Sequence, residues 1–249
     1  MGATDFIVIS IEGNIGSGKS TLLSNLRDYY AKHANVVFLK EPVDEWEQIT
    51  DKEGVTIIQK FYADQKKYSF AFQMMAYISR LNVLRLAKKE AQNRKNKRST
   101  EKTIFITERS LYTDKMVFAK MLYDDNKIEE VEYQIYLKWF NSFVDEFPVN
   151  QVIYVKTDPE VCFNRIKSRL REGEENVPLT YLTNCSKYHD NMLNKQSATC
   201  VCDDQLVLDG NIDIYQGGFH INDWIRMIDD FIQPQTTTTH LEADVELVL

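Results

Sequence analysis

Two hydrophobic rhythms alternate along the chain. Five short runs, "FIVISI" from Phe6, "NVVFLK" from Asn35, "TIFITE" from Thr103, "QVIYVK" from Gln151 and "QLVLD" from Gln205, are apolar almost throughout, as strands buried on both faces are. Between them apolar residues recur every three or four positions, the period of a helix. After the first run, "STLLSNLRDYYAK" sets Leu22, Leu23, Leu26 and Tyr30 on one side. Long helical regions are predicted over about 63–93 and about 129–147. This alternation predicts an α/β fold: a five-stranded parallel sheet with flanking helices on both faces. The two long helices carry aromatic and aliphatic residues on more than one face, as in "VEYQIYLKWFNSF", so they are expected to pack against more than the sheet, a second subunit included. No repeat or linker divides the chain. One domain is expected over 1–232, followed by a peripheral, poorly ordered tail over 233–249 that contains a threonine tract.

Charge narrows the possible partners. With 30 Lys and Arg against 37 Asp and Glu, the net charge of −7 argues against a nucleic-acid polymer, whose binders collect phosphate contacts from excess cations. The one basic run, around Lys88 to Lys102, reads as a helix end and solvated loop or, alternatively, as a polyanion site. No stretch approaches the roughly 18 apolar residues of a membrane span, and the glycine-rich segment described next begins too early to leave room for a cleavable leader. A cytoplasmic protein with no membrane partner is expected. Gly2 is followed by Phe6 where myristoylation requires Ser or Thr. Cys162, Cys185, Cys200 and Cys202 lack the spacing and histidine pair of a zinc site, which leaves reduced structural thiols as their reading.

The chemistry starts where the first strand ends. "IEGNIGSGKST" holds the pattern Gly-x4-Gly-Lys-Ser, from Gly13 to Ser20, between a strand and an amphipathic helix, the arrangement of a phosphate-binding P-loop. Glycines let backbone amides close around phosphate oxygens, and the helix N-terminus adds its partial positive charge. Gly13, Asn14, Ile15, Gly16, Ser17, Gly18, Lys19, Ser20 and Thr21 are therefore expected to bind ATP, with Lys19 on the β/γ phosphates and the Ser20 hydroxyl on Mg²⁺.

Ligands of a parallel sheet gather beyond the carboxyl ends of its strands. The second strand ends in "KEPVDEW" and brings Glu41 to that rim; the third ends in "TERS" and brings Glu108 and Arg109. Two carboxylates and an arginine beside a triphosphate suggest phosphoryl transfer. A further cluster, "NRIKSRLREGEE", carries Arg165, Arg169 and Arg171. It reads either as a solvated helix face or as a lid that closes positive charge over the transferring group.

At these residues the sequence resembles the deoxyribonucleoside kinase family, with deoxycytidine and deoxyguanosine kinases among its members. The ordered motifs are "IEGNIGSGKST", "EPV", "YSFAFQ", "SR", "ERSLYTDKMVF", "RIKSRLREGEENVPLTYL" and "LVLD", nearly the whole chain. The resemblance implies a P-loop NTPase fold with an arginine-bearing lid, a homodimer, and an enzyme of nucleotide salvage that moves the γ-phosphate of ATP, with Mg²⁺, to a deoxynucleoside 5′-hydroxyl. It implies that Glu41 accepts the hydroxyl proton with Arg109 beside it. Glu108 would be a Mg²⁺-side carboxylate, its role and that of Glu41 not separable by sequence. Lys19, Arg109, Arg165 and Arg169 would neutralise charge. Tyr62 and Glu174 would grip the 3′-hydroxyl, Gln73 would pair with the base edge, and Trp46, Phe70 and Phe118 would hold the ring. Arg80 and Asp114 match a charged pair in the base pocket of members that act on deoxycytidine and purine deoxynucleosides, so these are expected over thymidine. Two other readings stand beside this one: a thymidylate kinase, which shares the P-loop but takes a monophosphate, and a catalytically idle relative serving as a subunit, which should show damage at the P-loop, Glu41 or Arg109.

Overall fold

The computed structural model describes residues 6–94, 102–169, 177–214 and 220–236. Its order is β1 (Phe6–Glu12), α1 (Lys19–Tyr29), β2 (Val36–Leu39), α2 (Val43–Glu47), α3 (Ile57–Ala63), α4 (Gln65–Arg94), β3 (Thr103–Glu108), α5 (Leu111–Thr113), a π-helical segment (Asp114–Ala119), α6 (Lys120–Asp124), α7 (Glu130–Phe143), a 3-10 turn (Val144–Glu146), β4 (Gln151–Lys156), α8 (Pro159–Arg169), α9 (Leu179–Met192), β5 (Gln205–Asp209) and α10 (His220–Thr236). All five predicted strands form, and they pair in the order β2-β3-β1-β4-β5. Every pairing is parallel. α10 continues to Thr236, past the boundary at 232 expected from composition. Among the described residues no helix is long and apolar enough to cross a membrane.

Strand alternation builds two cores. On one face Phe6 and Val8 of β1 and Phe105 of β3 meet Tyr77, Leu81 and Leu84 of α4 and Tyr136 and Phe140 of α7. On the other, Ile7, Ile9, Ile11, Ile104 and Ile106 meet Leu22, Leu23 and Leu26 of α1 and Ile225, Ile228 and Ile232 of α10. Each such side chain removed from water contributes roughly 1.5–3 kcal/mol, and burial on both faces explains why these strands read as continuous apolar runs. Toward their carboxyl ends the pattern changes. Ser10 and Glu12 of β1 and Thr107 of β3 continue the α4-side face in polar residues, all buried. The sheet is thus apolar through its body and polar beneath its upper rim.

Candidate active site

One cavity of about 270 Å³ opens at that rim. Its floor is the turn between β1 and α1. At Gly16, φ is +77° and an added Cβ would meet the Cys162 carbonyl oxygen at 2.7 Å; at Gly13, φ is +148° and a Cβ would meet the Val155 carbonyl oxygen at 2.6 Å. No other residue type fits either position without displacing backbone. α1 begins with no side-chain cap on its first amides, which leaves them and the helix dipole to an anion. Gly16, Gly18, Lys19, Ser20 and Thr21 line the cavity with Ile15. Gly13, Asn14 and Ser17 sit behind it: Asn14 donates to the Leu182 carbonyl at 2.8 Å and receives the Ile15 amide, bracing the loop against α9. The Lys19 ammonium rests on the Asn14 carbonyl at 2.7 Å. Burial, helped by the neighbouring Arg109 charge, pushes it down to about 8, with Glu108 and Glu41 opposing.

The strand ends converge as their positions suggested. Ser20 Oγ donates to Glu108 Oε1 at 2.6 Å, and both residues face the cavity. Glu41 stands across from them. Burial alone would raise its carboxyl, but Arg109, Arg80 and Lys19 together hold it below the usual carboxylate value. Arg109 Nε lies 3.4 Å from Glu41 Oε1, its Nη1 donates to the Gly13 carbonyl at 2.9 Å, and its guanidinium lies over the Phe118 ring at 4.8 Å. Its backbone is left-handed, with φ of 65°. A non-glycine residue held there carries roughly 1–3 kcal/mol of strain and persists only where its surroundings impose it.

Arg80 proves to be a junction below the cavity rather than part of its lining. It is 4% exposed and donates in three directions: Nε to Asp114 at 2.9 Å, Nη1 to the Glu108 carbonyl at 2.6 Å and Nη2 to Glu41 at 2.8 Å. Opposing carboxylates raise its pKa despite its burial. Burial pushes the Asp114 carboxyl up to about 6, with Arg80 only partly offsetting it. Asp114 opens the π-helical segment, and wider winding of this kind recurs at functional sites. It brings both Asp114 and Phe118 to the cavity.

The remaining wall is aromatic. Trp46, Tyr62 and Gln73 line it, with Trp46 Nε1 held on Ser79 Oγ at 2.8 Å. Gln73 is 2% exposed and makes no hydrogen bond among the described residues. Its amide is not among the buried polar atoms left without a partner; it opens on the cavity, where a ligand can meet it. Phe70 does not reach the cavity; it packs into the core beneath, and Phe72 takes the lining position. The reason is helical phase. Phe72, Gln73 and Ala76 define the face of α4 toward the cavity, and at 100° per residue Phe70 lies about 110° from its centre. Phe72 stacks on Phe61, with centroids 4.6 Å apart, and meets Trp46 edge-on.

The two cationic residues of α8 differ. Arg169 lines the cavity. Arg165 also borders it, but its guanidinium donates to the carbonyls of Gly210 at 2.8 Å and Ile212 at 3.4 Å, which ties α8 to the turn after β5. Glu174 and Arg171 lie outside the described residues. Several contributors escaped the sequence reading. Ile58, Phe61 and Tyr181 line the cavity but look like core residues in the chain. Fully buried His189 sets Nε2 3.3 Å from Arg109 Nη1 and Nδ1 2.7 Å from the Cys185 carbonyl, and burial and the Arg109 charge hold it well below the ordinary imidazole value. It therefore accepts from Arg109 as a neutral ring.

A sequence model of the family described as deoxynucleoside kinase matches residues 9–233. Deoxycytidine kinase of Bos taurus is 35% identical over 201 residues, covering 74% of each chain. A probable deoxycytidine kinase of fowlpox virus (strain NVSL) is 34% identical over 192 residues, covering 76% of this chain and 72% of its own. The mitochondrial deoxyguanosine kinase of Xenopus laevis is 30% identical over 203 residues, covering 76% and 74%.

Proposed function

This chain belongs to the deoxynucleoside kinase family, and from that premise we propose that it moves the γ-phosphoryl group of ATP to the 5′-hydroxyl of a deoxynucleoside, with deoxycytidine or a purine deoxynucleoside preferred over thymidine. One observation carries the reading: Lys19 and Ser20 of the P-loop share a single cavity with Glu41 and the unpartnered Gln73. A phosphate donor and a base-bearing acceptor can thus meet there.

In this reading Glu41 takes the 5′-hydroxyl proton as that oxygen attacks the γ-phosphorus and the bond to the bridging oxygen of the leaving diphosphate breaks. A carboxylate held ionised by two arginines is a weak base. Phosphoryl transfer has a loose transition state, so alignment and charge neutralisation by Lys19, Arg109 and Arg169 contribute at least as much. Arg165, engaged with the carbonyls after β5, holds that turn for the donor nucleotide. Ser20 and Glu108 fit a Mg²⁺ ion: they are adjacent hard oxygen donors facing the cavity, and this ion takes one or two protein oxygens and leaves the rest to water and phosphates. Bound there, Mg²⁺ supplies neutralisation of charge on the β and γ phosphates. Tyr62, with Glu174, takes the 3′-hydroxyl. Gln73 pairs bidentately with the base edge, and Trp46, Phe72 and Phe118 hold the ring. The base preference is supported by the buried Arg80–Asp114 pair, because Asp114 lines the same cavity as Gln73.

The homodimer is supported by an uncovered apolar face. Val131, Ile135 and Trp139 recur every four residues on α7, and Ile78 and Leu86 lie on α4; all five are exposed. A second copy seated there would remove this stripe from water. Trp139→Glu should then halve the mass measured by light scattering.

The reaction is tested by initial rates with ATP and Mg²⁺ against deoxycytidine, deoxyadenosine, deoxyguanosine, thymidine and thymidine monophosphate. Deoxycytidine or a purine leading supports the proposal. Thymidine leading overturns the base preference alone. The monophosphate leading favours a thymidylate kinase, and folded but inactive protein favours the idle relative.

A further inference from the structure

The carboxylate of Glu12 takes no part in the chemistry proposed above, yet it lies 1% exposed at the end of β1, one residue before the P-loop. Among the described residues no cation forms an ion pair with it. Three hydroxyls meet it instead: Ser10 Oγ donates at 2.5 Å and Ser110 Oγ at 2.8 Å to Oε1, and Thr113 Oγ1 donates at 2.6 Å to Oε2. A buried carboxylate is tolerated only when its lone pairs are taken up, and here they are taken up by the turn that follows β3.

That turn contains Arg109. Ser110 and Thr113 close a reciprocal cap on α5, and the same two hydroxyls reach Glu12, so α5 is pinned at its first turn to β1. On the other side the Arg109 amide donates to the Ile11 carbonyl at 3.0 Å. Arg109 is therefore held between two successive residues of β1, Ile11 gripping its own backbone and Glu12 gripping the next residue, and in that span its φ is 65°. The left-handed backbone is what turns the guanidinium back over the P-loop to Gly13, Glu41 and His189. We infer that Glu12 is a positioning residue for Arg109: by binding the hydroxyls of Ser110 and Thr113 it keeps the β3–α5 turn in the strained form that aims this guanidinium at the reacting groups. The inference rests on the site being a phosphoryl-transfer centre.

The test is a double-mutant cycle on turnover. Glu12→Ala, checked as folded by near-UV circular dichroism, should lower kcat about 10²-fold, the scale of a misplacement of about 1 Å at a reacting centre, while KM for ATP changes by less than about twofold because the P-loop contacts remain. In an Arg109→Ala background the same substitution should lower kcat less than about twofold further, since the group it positions has gone. Glu12→Gln, whose amide oxygen still accepts from Ser110, should recover part of the loss. An unchanged kcat in folded Glu12→Ala, or an equal loss in both backgrounds, overturns the inference. If Glu12→Ala does not fold, Ser110→Ala and Thr113→Val each remove one donor and are read the same way. A crystal structure of the variant gives a second reading that does not depend on turnover. Arg109 leaving the left-handed region supports the inference even if wild-type protein phosphorylates no deoxynucleoside, and Arg109 unmoved on the Gly13 carbonyl overturns it.

Discussion

The junction at Arg80 makes the sharpest quantitative demand on this structure. Its guanidinium is shared by Asp114, Glu41 and a backbone carbonyl, and the side chains of Arg80 and Asp114 are only 5% and 3% exposed. Arg80→Met removes all three bonds and leaves the Asp114 carboxylate buried without its ion-pair partner, the Arg109 charge acting only from farther off. Breaking a buried pair in this way costs about 3–5 kcal/mol. At about 2–4 °C per kcal/mol for a chain of this size, the melting temperature should fall by about 6–20 °C. Adding Asp114→Ala removes the stranded charge, and apolar replacement of a buried pair is often near neutral. The double variant should therefore regain most of the loss, with a coupling energy of about 2–3 kcal/mol. The assay is urea unfolding of wild type, both single variants and the double variant. Additivity within about 0.5 kcal/mol would refute the reasoning, because it would mean that the two groups do not interact. Since Glu41 also loses one guanidinium, the double variant should turn over more slowly. Its ratio of thymidine to deoxycytidine use should rise; an unchanged ratio would show that the pair does not shape the base pocket.

Three further outcomes follow from the same geometry. Glu41→Gln should lower kcat by about 10²–10⁴-fold and leave ATP binding by calorimetry intact, and near-normal turnover would remove Glu41 from the chemistry. Gly16→Ala should abolish ATP binding, because its Cβ meets the Cys162 carbonyl at a strained φ; retained binding would mean that α8 yields without harm. Asp114 ionises across pH 6 rather than near 4, so turnover should decline as pH falls from 7 toward 5, when Arg80 loses one carboxylate. Stability moves the other way: a folded value above the unfolded one makes the ionised form costly, a cost present above pH 6 and relieved toward pH 4. An acid limb in kcat without a lower melting temperature, flattened in Asp114→Asn, is expected. A limb that survives in Asp114→Asn assigns it to another group.

How much of this was legible in the chain follows from the range of each contact. The strands, the glycine loop and the arrival of Glu41, Glu108 and Arg109 at one rim could be read in advance because each depends on local periodicity and on the rule that parallel strands end together. The long helices were legible for the same reason, and α4 and α7 fall within a few residues of their expected spans. Phe70 and Phe72 mark where local pattern stops: both are aromatic, two residues apart, and only the docking of α4 against Trp46 and Phe61 chooses between them.

Beyond that point the tertiary structure decided. The bond from Thr113 to Glu12 spans 101 residues and that from Arg109 to His189 spans 80, so neither leaves a trace in spacing. Arg165 read as a phosphate ligand by charge; it lines the cavity, and its guanidinium also reaches carbonyls 45 and 47 residues away, contacts that spacing does not show. Composition and periodicity determined which elements form and which face each one buries, since both follow from hydrogen bonding and hydrophobicity over a few residues. Which buried polar groups satisfy one another was settled only when the sheet brought distant segments within about 3 Å, because a hydrogen bond requires direction and contact that no one-dimensional pattern encodes.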